Sequence, residues 1–156
     1  MNERPINIGA TLLRPDAPLK VRGEAKFSSD FYGENYIWAG VKRAGRPHAI
    51  LKNIDSSEAI KFPGVIAVLT HKDVGGTNRH GVIKKDQPVL VENRINHSGD
   101  AVALVLAETK RNLEEAIGSI NLEIEPLTAV TDPQLALKDN SPLLHAEHKG
   151  RNLPLG

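Results

Sequence analysis

The sequence predicts an α+β fold built from two strand–helix–strand units, at residues 48–70 and 101–130. Residues 101–107 are seven consecutive apolar residues without alternation, which predicts a strand covered on both faces. Apolar residues spaced by three or four positions then predict a helix with one buried stripe: Leu113, Ala116, Ile117 and Ile120. Residues 120–126 alternate between apolar and polar side chains, as a strand with one solvated face does.

In chain order, the first predicted segment is an extended N-terminal arm at 1–24, where three prolines break any helix: Pro5, Pro15 and Pro18. The folded domain is predicted at 25–145, and residues 146–156 form a linker or tail without a clear pattern. One mixed sheet is expected from strands at 36–42, 48–54, 65–70, 101–107 and 120–126. Helices are expected near 56–62 and 109–119.

Local residues justify the element limits. Asp55 and Glu58 have the spacing of a capping box at the start of the first helix. Thr109 can cap the second helix with its hydroxyl. Gly118 costs that helix about 1 kcal/mol relative to alanine, so its last turn is expected to fray or end early. Gly40, inside the first strand, predicts a close backbone approach or a bulge.

The composition excludes several classes of function. The formal net charge of +1 over 156 residues gives no field that attracts nucleic acid or an anionic membrane. Without cysteine, the chain has no disulfide, no thiolate nucleophile and no Cys-ligated cluster, which fits a reducing compartment. No apolar stretch approaches the roughly 18 residues that a membrane span needs. We therefore expect a cytoplasmic protein.

Motifs for chemistry are incomplete. Residues 76–81 have the glycine spacing of a phosphate-binding loop, but Val82 and Ile83 stand where lysine and serine or threonine are required. Glu123 and Glu125 are interpreted as a solvated strand face rather than an acid–base pair. The histidines are scattered, and the pair His145 and His148 lacks a metal-binding spacing. No catalytic, cofactor-binding or metal-binding residue is predicted on this chain.

The polar loop at 71–96 is the candidate functional segment, because loops of this length in a compact domain are functional or lie at an interface. Four polar residues are the candidate contacts to a partner: Asn78, Arg79, Asp86 and Gln87. The Lys84-Lys85 pair is interpreted as a solvated part of the loop, with a docking contact as the alternative.

Several segments together carry a family resemblance through their order and spacing: Arg14-Pro-Asp16 with Lys20-Val-Arg-Gly23, His48-Ala-Ile50, Pro63-Gly-Val65 through Val68-Leu-Thr70, Gly99-Asp-Ala101 through Ala107-Glu108, and Glu123-Ile-Glu-Pro-Leu127. They resemble the α/β hammerhead domain that opens the large subunit of the molybdenum hydroxylases, the family of xanthine dehydrogenase and aldehyde oxidoreductase. The resemblance covers roughly residues 8–145. Asp100-Ala101 replaces the usual Glu-Pro, and Asn96-His97-Ser98 replaces an aromatic and apolar stretch.

The resemblance implies an N-terminal structural and assembly domain, as a fragment or a split subunit, of an enzyme that oxidises an aldehyde or an N-heterocycle such as a purine. The catalytic domains would be absent from this chain, which would be inactive alone. No cofactor is expected on it. Molybdopterin cytosine dinucleotide with molybdenum, 2Fe-2S clusters and, as an optional group, FAD would belong to other domains or subunits, and these would be its partners.

Other classes of function stay open. A stand-alone small-ligand or protein-interaction module without a redox role would show saturable binding by the isolated chain. A biotinyl or lipoyl carrier is disfavoured, because the only methionine is Met1 and the sequence has no Asp-Lys dipeptide. A stand-alone hydrolase is disfavoured by the lack of a recognisable nucleophile constellation.

Overall fold

The computed structural model describes residues 14–31, 33, 35–145 and 152, and the chain divides into two compact units, Met1–Tyr36 and Ile37–Gly156. In the first unit, helix α1 (Ala17–Val21) precedes a 3-10 turn at Ser28–Asp30. The prediction that prolines exclude any helix from the arm is therefore wrong here. Pro18 lies in the first turn of α1, where a backbone N–H has no helical partner in any case. Pro5 lies outside the described residues.

In its described part, the second unit contains six strands and two helices: β1 (Trp38–Arg43), β2 (Ala49–Asp55), β3 (Val65–Leu69), β4 (Arg94–Ile95), β5 (Ala101–Ala107), α2 (Lys110–Ser119), β6 (Asn121–Pro126) and α3 (Pro133–Ala136). The strands form two three-stranded sheets, ordered β1-β5-β3 and β4-β2-β6, and each described strand pair is antiparallel. The α+β class is confirmed. The expectation of one mixed sheet is corrected, because each strand–helix–strand unit crosses from one sheet to the other.

Strand β5 is covered on both faces, as its apolar run predicts. On one face, Val105 belongs to a core that includes Leu113 of α2. On the other face, Val102 belongs to a second core with Leu51 of β2 and Ile95 of β4. Burying a valine, leucine or isoleucine side chain stabilises a fold by about 1.5–3 kcal/mol relative to leaving it exposed. Because its side chains alternate between the two cores, β5 takes part in the packing of both sheets.

Helix α2 begins and packs as the sequence predicts. Thr109 Oγ1 accepts a hydrogen bond from Asn112 N at 3.1 Å, which confirms the predicted cap. A Cβ at Gly40 of β1 would lie 2.8 Å from Ile117 Cδ1 and 2.9 Å from Leu113 Cδ2. The missing side chain thus lets α2 approach β1 closely, and the predicted close approach at Gly40 is confirmed.

The predicted helix at 56–62 is only a 3-10 turn, Ala59–Lys61. Asp55 Oδ1 accepts from Ser57 N at 3.0 Å, so its carboxylate closes a tight turn two residues ahead. Glu58 forms an ion pair with Lys61 at 2.7 Å instead of accepting from the backbone N–H at the start of the predicted helix. The capping-box prediction is wrong, because Asp55 is the last residue of β2 and its side chain turns the strand.

Gly64 supplies a conformation that other residues adopt at a cost. Its φ is +72°, and a Cβ there would lie 2.7 Å from Asn112 Nδ2. Its carbonyl accepts from Glu108 N at 2.8 Å, which ties the start of β3 to the end of β5. We expect Gly64→Ala to lower the free energy of unfolding by about 1–2 kcal/mol, measured by urea denaturation.

Gly118→Ala is the matched control. Nothing lies within 4 Å of a Cβ built at Gly118, near the end of α2. The same substitution there should raise the free energy of unfolding by about 0.5 kcal/mol, because alanine loses less backbone entropy than glycine. Changes of the same sign in both variants would contradict this conformational account of Gly64.

Candidate functional site

The loop at 71–96 has two arms, and Asn78 on the first arm forms hydrogen bonds with the second arm, which contains Leu90 and Glu92. Asn78 Nδ2 donates to Leu90 O at 2.7 Å, and Leu90 N donates back to Asn78 Oδ1 at 2.9 Å. Nδ2 also donates to Glu92 Oε1 at 2.9 Å. Leu90 is buried with 8% exposure, so the brace satisfies backbone groups that would otherwise lack partners.

An ion pair lies beside this brace. Arg79 Nη1 donates to Glu92 Oε1 at 3.1 Å and to Asn78 O at 2.8 Å. The Asn78 amide, followed by the Arg79 guanidinium, lowers the pKa of the Glu92 carboxyl, while partial burial acts in the opposite direction. Both side chains of the ion pair are 38% exposed, so the pair shapes the loop more than it stabilises the fold.

The loop narrows to a two-bond bridge and an apolar tip. His80 N donates to Gln87 O at 2.8 Å, and Gln87 N donates to His80 O at 3.2 Å. Between them, Val82 and Ile83 are exposed by 103% and 82%. Two apolar side chains thus project from a closed turn with almost their full surface in solvent.

The four candidate contact residues occupy different positions. Asn78 and Arg79 bond within the loop. Asp86 is half-buried and lines a cavity, and Gln87 is exposed, while its backbone pairs with His80. Their assignment to a partner interface stays a prediction. The geometry places Asn78 and Arg79 as supports of the loop that Asp86 and Gln87 belong to.

Sequence reasoning missed a polar cluster around His48, which is 3% exposed. His48 Nδ1 lies 2.6 Å from Thr128 O, and Nε2 lies 3.0 Å from Arg94 Nη2. A carbonyl only accepts and a guanidinium only donates, so Nδ1 carries the proton and the imidazole is neutral. Arg94 Nη2 also donates to Leu143 O. The cluster joins β4, the start of β2 and the segments after β6.

A cavity of about 490 Å³ lies between the loop, β4 and the segment at 144–145. Its lining is mainly polar and charged: Arg79, Lys84, Lys85, Asp86, Pro88, Glu92, Asn93, Arg94, Asn96, Leu144 and His145. A second cavity of about 270 Å³ is lined by residues between Thr128 and Pro142. The first cavity is therefore the one that adjoins the candidate loop.

The other residues considered for chemistry have structural roles. Glu123 and Glu125 are exposed, and Glu125 pairs with Lys52 at 2.7 Å, as expected of a solvated strand face. His97 Nδ1 accepts from Gly99 N at 2.9 Å within a turn. His148, the other histidine of the His145–His148 pair considered as a metal site, lies outside the described residues.

Asp100, one of the departures from the family pattern, closes the turn before β5. Its Oδ2 accepts from Asn96 N at 2.8 Å and from His97 N at 3.0 Å. Its backbone carbonyl accepts from Ala44 N at 2.9 Å. The aspartate thus fixes the connection between β4 and β5 by local hydrogen bonds, which a glutamate with its longer side chain would reach differently.

A metal site requires side chains that are grouped as ligands. Within residues 14–31, 33, 35–145 and 152, no three His, Cys, Asp or Glu side chains are grouped to hold a metal ion. No helix in this part of the chain is long and apolar enough to cross a membrane.

The family model described as "Aldehyde oxidase and xanthine dehydrogenase, a/b hammerhead domain" matches residues 22–128. This match covers most of the chain, and the two-sheet architecture agrees with it. The chain therefore belongs to the aldehyde oxidase and xanthine dehydrogenase hammerhead family, and the predicted hammerhead fold is confirmed.

Similarity to individual proteins of known name supports this assignment to the family. The chain is 41% identical over 135 residues to a probable xanthine dehydrogenase subunit of Bacillus subtilis, covering 86% of this chain and 18% of that protein. It is 36% identical over 152 residues to the nicotinate dehydrogenase large molybdopterin subunit of Eubacterium barkeri, covering 96% and 36%. The crystal structure of an aldehyde oxidoreductase from Desulfovibrio desulfuricans superimposes with a TM-score of 0.80 at 33% identity, covering 88% and 17%.

We expect Asn78→Ala to destabilise the loop, because it leaves the N–H and the carbonyl of buried Leu90 without their partner. The expected loss is about 1–3 kcal/mol of unfolding free energy, with faster amide hydrogen exchange at Leu90. Asn93→Ala is the control, since Asn93 is exposed and lies in the same arm. An Asn78→Ala variant with unchanged exchange at Leu90 would show that the brace is dispensable.

The Asn78 brace also predicts a pH dependence. The pKa of Glu92 is lowered from its ordinary value of 4.5, so its bonds stabilise the folded state above that pH and are lost as the pH falls through the lowered value. Carbon-13 NMR should give a midpoint for Glu92 below 4.5, and Asn78→Ala should raise it. A midpoint at or above the ordinary value in the unmodified chain would refute the assigned cause.

Proposed function

We propose that this chain is the N-terminal structural and assembly domain of a molybdenum hydroxylase large subunit. The whole enzyme would oxidise an aldehyde or an N-heterocycle such as a purine. The observation that carries the proposal is the hammerhead match over residues 22–128 combined with relatives of much greater length. This chain would contribute the fold that holds the catalytic parts in place, rather than a reacting group.

The cofactors would lie on the rest of the enzyme. We expect molybdopterin, in its cytosine dinucleotide form, with molybdenum on the remaining domains of the large subunit, and 2Fe-2S clusters and, as an optional group, FAD on partner domains or subunits. Two relatives are named as molybdopterin or molybdenum-binding subunits, which supports the first part. The lack of cysteine in 156 residues supports a cytoplasmic location.

The loop at 71–96 is the proposed contact with these partners. Its support is an arrangement that an interface needs: a braced base at Asn78 and an apolar tip at Val82 and Ile83. Exposed apolar side chains in a rigid turn gain stability when a partner covers them. Charge reversal at Arg79 would not test this contact cleanly. A glutamate at position 79 would lie beside Glu92 and disturb the loop itself.

The assembly role is tested by purifying the tagged full chain from its host and, separately, after recombinant expression alone. The host preparation should contain molybdenum, measured by mass spectrometry, and should reduce a dye with an aldehyde or a purine. The chain expressed alone should contain no molybdenum and show no turnover. Dye reduction by the recombinant chain would overturn the proposal, and so would a host preparation that contains the chain without molybdenum.

We expect Ile83→Asp to reduce the amount of partner recovered with the tagged chain at least about tenfold, because a charge would replace an apolar contact that desolvates on binding. Gln87→Ala should weaken recovery less. Ile60→Asp is the matched control, since Ile60 is 57% exposed and lies outside the loop. Normal recovery with Ile83→Asp, in a chain that keeps its circular dichroism spectrum, would show that the loop is not the contact.

A further inference from the structure

The cavity beside the loop has the size of a binding site. Its volume of about 490 Å³ falls within the roughly 300–1,000 Å³ of typical ligand pockets. Three parts of the fold supply its walls: the loop, from Arg79 to Asn93, then Arg94 of β4 with Asn96 beyond it, and the segment Leu144 to His145. A space of this size takes several residues of a peptide chain, which is more than a single inorganic ion requires.

The lining of this cavity carries more positive than negative groups. Among the lining residues that the structure describes, four are cations and two are carboxylates: Arg79, Lys84, Lys85 and Arg94 against Asp86 and Glu92. Glu92 is already paired with Arg79 at 3.1 Å. The complementary occupant is therefore negatively charged, because opposite charges across an interface select the partner and its orientation.

Arg94 is held in position without a counter-charge. Its Nη2 donates to His48 Nε2 at 3.0 Å and to Leu143 O, and both of these acceptors are neutral. Within the described part of the chain, its buried Nε has no hydrogen-bond partner, and no carboxylate forms an ion pair with it. A half-buried guanidinium bonded only to neutral acceptors keeps part of its desolvation cost, which an incoming carboxylate would offset.

Asn96, which lines the same cavity, also has a polar atom without a hydrogen-bond partner among the described residues. Its Oδ1 is buried and has no partner among the residues that the structure describes. Positions 94 and 96 alternate with Ile95, which has 0% exposure in the core, so both face away from that core. The Asn96 oxygen is an acceptor, so it needs an N–H or O–H donor, which the backbone of an incoming segment would supply and a carboxylate would not.

We propose that this cavity receives a carboxylate-bearing segment from the remainder of the large subunit, with its aspartate or glutamate on the Arg94 guanidinium and Lys85 at the rim. This rests on the proposed function, because the occupant comes from the rest of the enzyme. The source is argued from the lengths of the relatives, since the chain spans only 18% and 17% of two much longer ones.

The first test uses the full 156-residue chain, labelled with nitrogen-15, and two capped peptides of sequence Gly-Ala-Glu-Ala-Gly and Gly-Ala-Gln-Ala-Gly. The glutamate peptide should move the Arg94 Nε–H and Asn96 amide resonances, and the glutamine peptide should bind about fivefold more weakly. The difference should shrink as salt is added, since ions screen the pairing. No shift at about 5 mM peptide, a concentration that covers weak millimolar contacts, would overturn the proposal.

Three variants locate the binding. Arg94→Gln should abolish the response to the glutamate peptide. Because Arg94 also bonds His48, Lys85→Gln is the second variant, with an expected two- to fivefold loss, about the effect of one exposed charge. Lys138→Gln, in the second cavity, should change nothing. An equal response in the Lys85 and Lys138 variants would overturn the assignment, and so would inorganic phosphate that moves the same resonances as strongly as the peptide.

A second test uses the host complex and separates this proposal from the assembly role. Carbodiimide coupling should join Lys85 to an aspartate or glutamate of the large subunit outside this domain, identified by mass spectrometry. If the glutamate peptide binds but no complex is recovered, the assembly role and the large-subunit origin of the segment fail, and only the preference of the cavity for a carboxylate stands. If the complex is recovered but Lys85 couples only within this chain, the cavity assignment fails and the assembly role stands.

Discussion

The two-sided burial of β5 is the constraint on which the rest of the second unit depends. β5 pairs with β1 on one edge and β3 on the other, so its backbone groups are bonded within a sheet on both sides. Its side chains face α2 in one direction and the second sheet in the other. A strand without a polar face cannot be stable at a sheet surface, and both layers must therefore form together.

The two predicted units, now β2 to β3 and β5 through α2 to β6, interlock around this strand. The first unit leaves the second sheet at β2 and enters the first at β3, while the other leaves the first sheet at β5 and returns through α2 to β6. β3 pairs with β5, and β2 pairs with β6. Neither unit can complete a sheet alone. The half-buried Ile54 and Leu122 pack against both cores, which couples the two layers further.

The sequence predicts features that depend on neighbouring residues, and it misses features that depend on residues far apart in the chain. The β5 run, the Thr109 cap and the alternation of β6 are readable because their causes lie within a few residues. β4 has only two residues and no pattern of its own, and it exists because it pairs with Ala49 and Ile50 across the chain. The His48 cluster was missed for the same reason, since its partners lie 46 and 80 positions away. The candidate loop could be found from its length, but its internal bonds could not.

Those internal bonds bear on the proposed role of the loop as a contact with a partner. A flexible loop would lose conformational entropy on docking, and that loss would reduce the affinity of the contact. Here Asn78 ties the two arms, and the His80–Gln87 bridge closes the tip, so the order is already present in the free domain. The exposed pair Val82 and Ile83 is thus presented in a fixed geometry. At the proposed interface, rigidity in this loop would let a small number of apolar and charged contacts hold a larger partner.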